Sequence, residues 1–294
     1  MAKQKPVMKA VKYDDKKHAD NSGKYIMEPK IDGMRMTAEV KVKEKRVDIR
    51  SSTGKLMAYW SSVFDKALLK FAKALGKDCV VFDGEVWDGV SFQTTMEAKG
   101  KDADRSKLKY YIFDVIDLAD WIAKDSCFQR HRTELLQNNR KHATGNIEVI
   151  GSEIMDWDDL EERYDKYLDA GFEGIMIKDP HGVYEWHRSK YWIKRKMIDT
   201  YDAQIKEIHE GKGKFKGMAG SITVKGITED DVFFVSNVNL SSNDVRKEFW
   251  RRRKSLVATG AWVEVSAQCL SFKEKRGKVA ALRHSKYIRL REPK

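Results

Sequence analysis

The sequence predicts an α+β chain in two domains, residues 1–198 mixing antiparallel sheets with helices and residues 199–294 forming a small β-barrel. Three observations carry that expectation. The first part of the chain interleaves apolar runs of period two with stretches of helical spacing. Near Ile198 the character changes: glycines crowd positions 211–220, and short β runs with glycine-bearing turns fill the remainder, which suits a barrel. The length, 294 residues, is two domains' worth at about 150 residues each.

After a charged lead-in, 24–47 reads as strands around a turn. Met36, Ala38, Val40 and Val42 alternate with Thr37, Glu39 and Lys41, and Gly33 supplies the break. Ser62 to Leu75 reads as a helix with Phe64, Ala67, Leu68, Phe71 and Leu75 on one face, Ser62 as its cap and Gly76 as its end. Val80-Val81-Phe82 is a short buried strand running into Asp83-Gly84-Glu85, and Tyr110 to Val115 is another. Between them, 97–107 reads as a polar loop. Trp157, Leu160, Tyr164, Tyr167 and Leu168 recur at helical spacing up to Gly171, and Gly174 to Lys178 is a strand. In the second domain Ser221 to Val224, Val232 to Val238 and Trp262 to Ser266 are strands, and Asn243 to Lys254 is one helix.

Composition narrows the function. With 57 Lys+Arg against 45 Asp+Glu the net charge is +12, which favours a polyanionic partner. No stretch approaches 18 uninterrupted apolar residues, so no membrane span is expected, and the charged start argues against a secretory signal. Three widely spaced cysteines, Cys79, Cys127 and Cys269, make a disulfide framework or cysteine zinc site improbable; a cytoplasmic location is expected.

Chemistry concentrates in Glu28-Pro29-Lys30-Ile31-Asp32-Gly33-Met34-Arg35. A lysine at a strand end, before a turn glycine, is a candidate covalent nucleophile. Its amine must be neutral to attack, and nearby cations penalise the protonated form. Arg50, Lys194 and Lys196 are candidate cations, while Glu85 and Glu173, each beside a glycine, are candidate acids for a metal or a ribose hydroxyl. Taken singly, each has a plainer reading: a common turn, turn acids, a solvated basic face. Their joint order is what distinguishes them.

Six segments in that order resemble the motifs of the nucleotidyltransferase superfamily of ATP-dependent DNA ligases, RNA ligases and mRNA capping enzymes, most closely the short phage-type ATP-dependent DNA ligases. Lys30-Ile31-Asp32-Gly33-Met34-Arg35 fits KxDGxR, Arg50 to Gly54 the following Arg-bearing motif, and Phe82-Asp83-Gly84-Glu85 the DGE motif. Tyr111-Ile112-Phe113-Asp114 fits an aromatic-acid motif, Glu173 to Lys178 fits EGxMxK, and Lys194-Arg195-Lys196 fits KxK. Glu210 to Gly220 is similar to the basic, Gly-rich opening of the ligase OB-fold. Leu282 to Tyr287 and Arg289 to Lys294 resemble its C-terminal motif, although Pro293 stands where an Asp is usual.

The resemblance implies a nucleotidyltransferase (ATP-grasp-like) domain followed by an OB-fold, and nick sealing in three steps. Lys30 attacks the α-phosphorus of ATP, AMP passes to the 5′-phosphate of a nick, and the 3′-hydroxyl displaces it. By motif match Glu28 reads the exocyclic amine, Phe113 stacks on the base, Glu85 and Arg50 hold the ribose, and Lys178 lies near base or phosphate. Ile31 and Arg35 belong to the same cofactor pocket. Lys194 and Lys196 attend the phosphates, Glu173 and Glu85 face Mg2+ (or Mn2+), Arg35 attends the nick, and Asp32 contacts either the nick termini or the metal. DNA contacts are expected from Arg35, Lys212, Lys214, Lys216, Arg283, Arg289 and Arg291, with the runs 251–254 and 273–278 as further basic surface. The partner implied is nicked double-stranded DNA, with no membrane and no obligatory protein partner, the chain acting as a monomer. An RNA ligase, a capping-type guanylyltransferase or a non-catalytic OB-fold nucleic-acid-binding protein are the alternatives.

Overall fold

The break at 31–33 does more than turn the chain: it moves it from one sheet to another. In the computed structural model, which describes residues 7–90, 92–98, 103–228, 231–240, 242–272 and 279–291, the chain divides into two compact units, 1–196 and 197–294. The first unit begins with β1 (Lys9–Lys12), α1 (Asp15–His18), β2 (Lys24–Lys30), β3 (Met34–Lys41), β4 (Arg46–Ser51) and α2 (Ala58–Ala74). It continues through β5 (Cys79–Trp87), α3 (Phe92–Glu97), β6 (Lys109–Asp117), α4 (Leu118–Ala123), α5 (Gln129–Asn138) and β7 (Ile147–Val149). β8 (Glu153–Asp156), α6 (Leu160–Asp169), β9 (Gly174–Lys178) and β10 (Arg188–Lys196) complete it.

Two five-stranded sheets result, in the orders β1-β10-β9-β2-β8 and β4-β3-β5-β6-β7. All pairings are antiparallel except β1 with β10 and β6 with β7. The alternation read over 34–41 holds: Met36, Ala38 and Val40 are fully buried under α2, and the partner face carries Arg35 and Thr37. Helix α2 starts four residues earlier than the spacing suggested. Trp60 stacks on Phe64 and carries the apolar stripe back by one turn, so the start is at Ala58 and Ser62 donates to the Tyr59 carbonyl instead of capping. Each such buried aromatic contributes about 1.5–3 kcal/mol. Glu97 belongs to α3 rather than to a loop; positions 99–102 of that stretch lie outside the described residues.

The second unit contains β11 (Asp199–Glu210), β12 (Ala219–Ile227), β13 (Phe233–Asn239), α7 (Asn243–Arg251), α8 (Arg253–Ala258), β14 (Trp262–Ala267), β15 (Cys269–Phe272), β16 (Ala280–Arg283) and β17 (Lys286–Leu290). Strands β12, β11, β14, β17 and β13 follow one another, and a β12–β13 pairing closes them into a ring, with β16 and β15 extending from β13. A closed five-stranded ring with helices between its third and fourth strands is an OB-fold barrel. Its core holds Ile222, Val224, Phe234, Val238, Val263 and Val265. The single helix expected over 243–254 is two helices that break at Arg252, with the Ser242 side chain capping the first.

Candidate active site

Register places most of the candidate residues of the first sheet on one face. Lys30 pairs with Gly174, which pairs with Lys196; Glu28 pairs with Met176, which pairs with Lys194; and Lys178 pairs with Trp192. Side chains directly opposite in a ladder share a face, so Glu28, Lys30, Lys178, Trp192, Lys194 and Lys196 form one patch. The glycines make the approach tight. A Cβ at Gly33 would strike the Val86 carbonyl and Glu85, and one at Gly174, where φ is +147°, would strike the Arg195 carbonyl. The second sheet contributes Arg35 and Glu85 as an opposed pair, and a register shift between Asp83 and Gly84 throws Phe113 out of the β5–β6 ladder. Bulges of this kind re-aim side chains.

These residues surround a cavity of about 220 Å³. Of the residues singled out in the sequence, Glu28, Lys30, Ile31, Arg35, Glu85, Phe113, Lys178 and Lys194 line it. Glu173 and Lys196 join it through ion pairs: one Glu173 oxygen accepts from Lys30 Nζ and the other from Lys196 Nζ. Arg50 shares the Arg35 face of its sheet, donates to the Gly54 carbonyl (3.5 Å), and is not among the residues that line the cavity. Asp32 lies half-buried in the turn itself.

One end of the cavity is closed by a buried pair, Lys178 Nζ to Glu28 Oε2 at 2.7 Å, with Ser152 Oγ donating to Glu28 Oε1 at 2.7 Å. Lys178 also donates to the Phe113 carbonyl and lies over the Trp192 ring at 4.8 Å. Arg35 is held by both Asp83 oxygens, Nε at 3.0 Å and an Nη at 2.6 Å, and packs on Phe113 and Trp192.

Electrostatics differ from the sequence expectation in one respect. Lys30 touches a carboxylate first, and the crowding by cations falls on Lys194 instead. Burial, then Lys196, Lys30 and Arg188, bring the Lys194 ammonium down to about 8. Burial raises Glu28 despite its lysine, and burial opposes ionisation of Glu173, but Lys30 and Lys196 outweigh it and hold that carboxyl below its usual range. Glu85 is pushed up to about 7, chiefly by burial, against the pull of Lys30 and Arg35.

The folded chain therefore keeps a Glu85 proton that the unfolded chain releases between about pH 4.5 and 7, and stability falls as pH rises through that window. Glu85→Gln is expected to stabilise the ligand-free protein by about 2 kcal/mol at pH 8 and by nothing at pH 4, taking ~1.4 kcal/mol per pKa unit and discounting for partial solvent contact. Thermal melts across pH check this; parallel melting curves for the two proteins would refute it.

Arg188, Asp83, Ser152 and Trp192 belong to the site without having been assigned to it from sequence. Trp192 alternates with Lys194, a signal that was present, though its bulk reads as core. Arg188 shares that even spacing, but the β1–β10 register shifts between Ala10 and Val11, so spacing alone does not fix its face.

In the barrel, Lys212, Lys214 and Lys216 are exposed on the glycine-rich segment. Arg289 and Arg291 are ion-paired on the surface, with Glu264 and with Asp202 and Glu264, so their charge is largely neutralised. Arg283 sits at the end of β16. In the run 251–254, Arg252 pairs with Glu248 and Arg253 packs on Trp250. The run 273–278 and positions 292–294, Lys294 included, lie outside the described residues. No helix among the described residues is long and apolar enough to cross a membrane.

Comparison with known proteins gives concordant relatives. The family described as ATP dependent DNA ligase domain matches residues 7–196. A DNA ligase of Haemophilus influenzae is 30% identical over 120 residues, 40% of this chain and 42% of its own. DNA ligase 2 of Korarchaeum cryptofilum is 25% identical over 249 residues, 77% of this chain and 41% of its own. The chain thus spans about two-fifths of the length of these curated relatives. Among solved structures, Pmar-Lig_Pre superposes with a TM-score of 0.85 at 26% identity, covering 98% of this chain and 69% of that one.

Proposed function

The chain belongs to the ATP-dependent DNA ligase domain family, and on that premise we propose that it seals nicks in duplex DNA through a lysyl-AMP intermediate. The observation that carries this reading is the position of Lys30 Nζ: at the cavity, hydrogen-bonded to Glu173, with Lys194 and Lys196 on the same sheet face. In the first step the Lys30 nitrogen bonds to the α-phosphorus of ATP, the bond to pyrophosphate breaks, and the amine loses its proton. Lys194, Lys196 and Arg188 supply positive charge where the phosphates crowd. The Glu28–Lys178 pair offers one acceptor and one donor to the base, with Phe113 along its face.

The acid set suits a divalent cation. Mg2+ or Mn2+ is commonly held by one or two carboxylates and completed by substrate phosphates. Glu173 and Glu85 would hold it, in competition with Lys30 and Lys196, and it would neutralise developing phosphate charge. Among the described residues no group of three or more His, Cys, Asp or Glu could hold a metal ion, so phosphate oxygens would complete the shell.

AMP then passes to the 5′-phosphate of the nick, and the 3′-hydroxyl displaces it. Asp32 and Arg35 would attend that junction, with Arg50 at its margin. The exposed Lys212, Lys214 and Lys216 would hold duplex backbone without reading sequence, together with Arg283, while Arg289 and Arg291 would first have to leave their acids. We place the working protein in the cytoplasm as a monomer.

The decisive experiment is incubation with α-labelled ATP and Mg2+ after stripping any bound AMP with pyrophosphate, followed by a denaturing gel and then by nicked DNA. Label on the protein that passes to the 5′-phosphate of nicked DNA and is released as AMP when the strand is sealed supports the reading; label from GTP alone, or sealing of nicked RNA alone, would replace it. Duplex binding should weaken steeply with salt. Changing Lys212, Lys214 and Lys216 together to Gln should reduce the slope of log K against log salt by about 3, at ~0.9 per phosphate contact; an unchanged slope would remove these lysines from the interface.

A further inference from the structure

The strand β1 lies at the edge of the first sheet, and its outer edge is occupied by side chains of the active site. Lys9 N–H bonds the carbonyl of His187, just before β10, so the strand's alternation turns the Met8 and Ala10 backbone groups to the opposite edge. An exposed strand edge presents a row of unpaired backbone groups, and here arginines take them. Arg35 Nη1 donates to the Met8 carbonyl, and Arg188 Nη1 donates to the Ala10 carbonyl. Both arginines, with Lys9 and Ala10, line the cavity.

A third contact closes the circuit. The Tyr184 hydroxyl accepts from Met8 N–H at 3.1 Å and donates to Asp83 Oδ2 at 2.6 Å, the same oxygen that accepts from Arg35. Tyr184 is 1% exposed and packs against Trp121, Trp186 and Trp192, while Val7 and Met8 are buried in the same cluster. Arg35 thereby commits three of its five N–H donors, two to Asp83 and one to Met8, and lines the cavity with two still to give.

We propose that residues 7–12 are a working wall of the nucleotide site, in which the Met8 and Ala10 carbonyls fix the two cavity arginines and the Tyr184 hydroxyl locks the strand to Asp83, making Tyr184 a positioning residue for Arg35. This rests on the nick-sealing reading above. Tyr184 touches no substrate; it acts by holding Asp83 and Met8 where a guanidinium fits between them, as a fork that must present its remaining donors in one plane. Sequence gives no hint of this, since Tyr184 falls in none of the six motif segments and the link to Met8 spans 176 positions.

The test is a double-mutant cycle on label transfer from α-labelled ATP at subsaturating ATP. Tyr184→Phe, which removes a single oxygen and keeps the ring packing, should slow labelling by roughly ten- to a hundredfold, the range for hydrogen bonds to charged groups. Added to Arg35→Met, it should slow labelling by no more than about twofold further, because the residue it positions is already gone. A Tyr184→Phe rate within about twofold of the unmodified protein, or losses that multiply, would overturn the proposal; multiplying losses are what a merely structural tyrosine gives. A second measurement needs no variant: amide exchange over residues 7–12 of the unmodified chain should slow when ATP is added, and unchanged exchange would also overturn it. If the unmodified protein takes no label at all, it is the nick-sealing reading that fails.

Discussion

Lys30→Ala is expected to eliminate covalent labelling by α-labelled ATP and to lower nick sealing by at least about 10⁴-fold, the scale on which loss of a covalent nucleophile is felt. The expectation comes from placement. In the fold Lys30 is the cavity-lining lysine whose Nζ meets the Glu173 carboxylate, and Lys196 holds the other oxygen of that carboxylate. Removing the Lys30 amine leaves Lys196 with the whole of Glu173 and leaves nothing to bond to phosphorus at that point. Lys194 is a sharp control. It lies in the same cavity with its ammonium brought down to about 8 by burial, Lys196, Lys30 and Arg188, so it is the lysine most able to substitute if position were unimportant. Lys30→Ala protein that still accepts label, with the label mapped to Lys194, would show that reactivity follows amine basicity rather than the geometry of the strand end. Sealing of a pre-adenylylated nick should survive in Lys30→Ala far better than labelling does, because only the first step uses the amine.

Much of this site was legible because sheet register and sequence spacing carry the same information. Glu28 and Lys30 are two apart on one strand, Lys194 and Lys196 two apart on another, and period two puts each couple on one face. Glycines that tolerate no Cβ, Gly33 and Gly174, mark the places where a neighbouring backbone comes close, and each sits beside a candidate acid, Asp32 or Glu173. What sequence left unread falls into two kinds. Some residues sit where alternation breaks, as Arg188 does beyond the shifted β1–β10 register. Others act through partners far along the chain, as Asp83 does with Arg35, or Ser152 with Glu28. The helix boundaries missed for a related reason: Trp60 extends α2 by packing on Phe64, a tertiary preference that outweighs the serine available as a cap.

Asp114 shows how far this second kind of residue reaches, and its replacement by Asn is expected to destabilise the first unit by about 3–5 kcal/mol, the range for breaking a buried ion pair from one side. Asp114 is 0% exposed and Arg132, on α5, is 2% exposed. They meet twice, Nε to Oδ1 at 2.8 Å and Nη2 to Oδ2 at 3.2 Å, and Val115 N–H adds a third bond to Oδ1. Arg132 Nη2 also donates to Gln129 Oε1 at 2.7 Å, and that oxygen accepts the Trp192 indole N–H at 2.9 Å. Trp192 is the ring against which Lys178 and Arg35 pack in the cavity. An amide at position 114 would leave the guanidinium buried and charged without a counter-ion, and the strain would pass through Gln129 to the Trp192 wall of the cavity. The melting midpoint should therefore drop by about 10 °C, with weaker nucleotide binding in the same variant. Arg132→Met added to Asp114→Asn should recover most of the lost stability, because a buried pair replaced on both sides by neutral groups of similar size is often close to neutral. Nucleotide affinity should stay low in that double variant, since methionine cannot hold Gln129. A single variant losing less than about 1 kcal/mol would mean that Arg132 finds water or another acceptor, and the chain of contacts from α5 to the nucleotide would lose its first link.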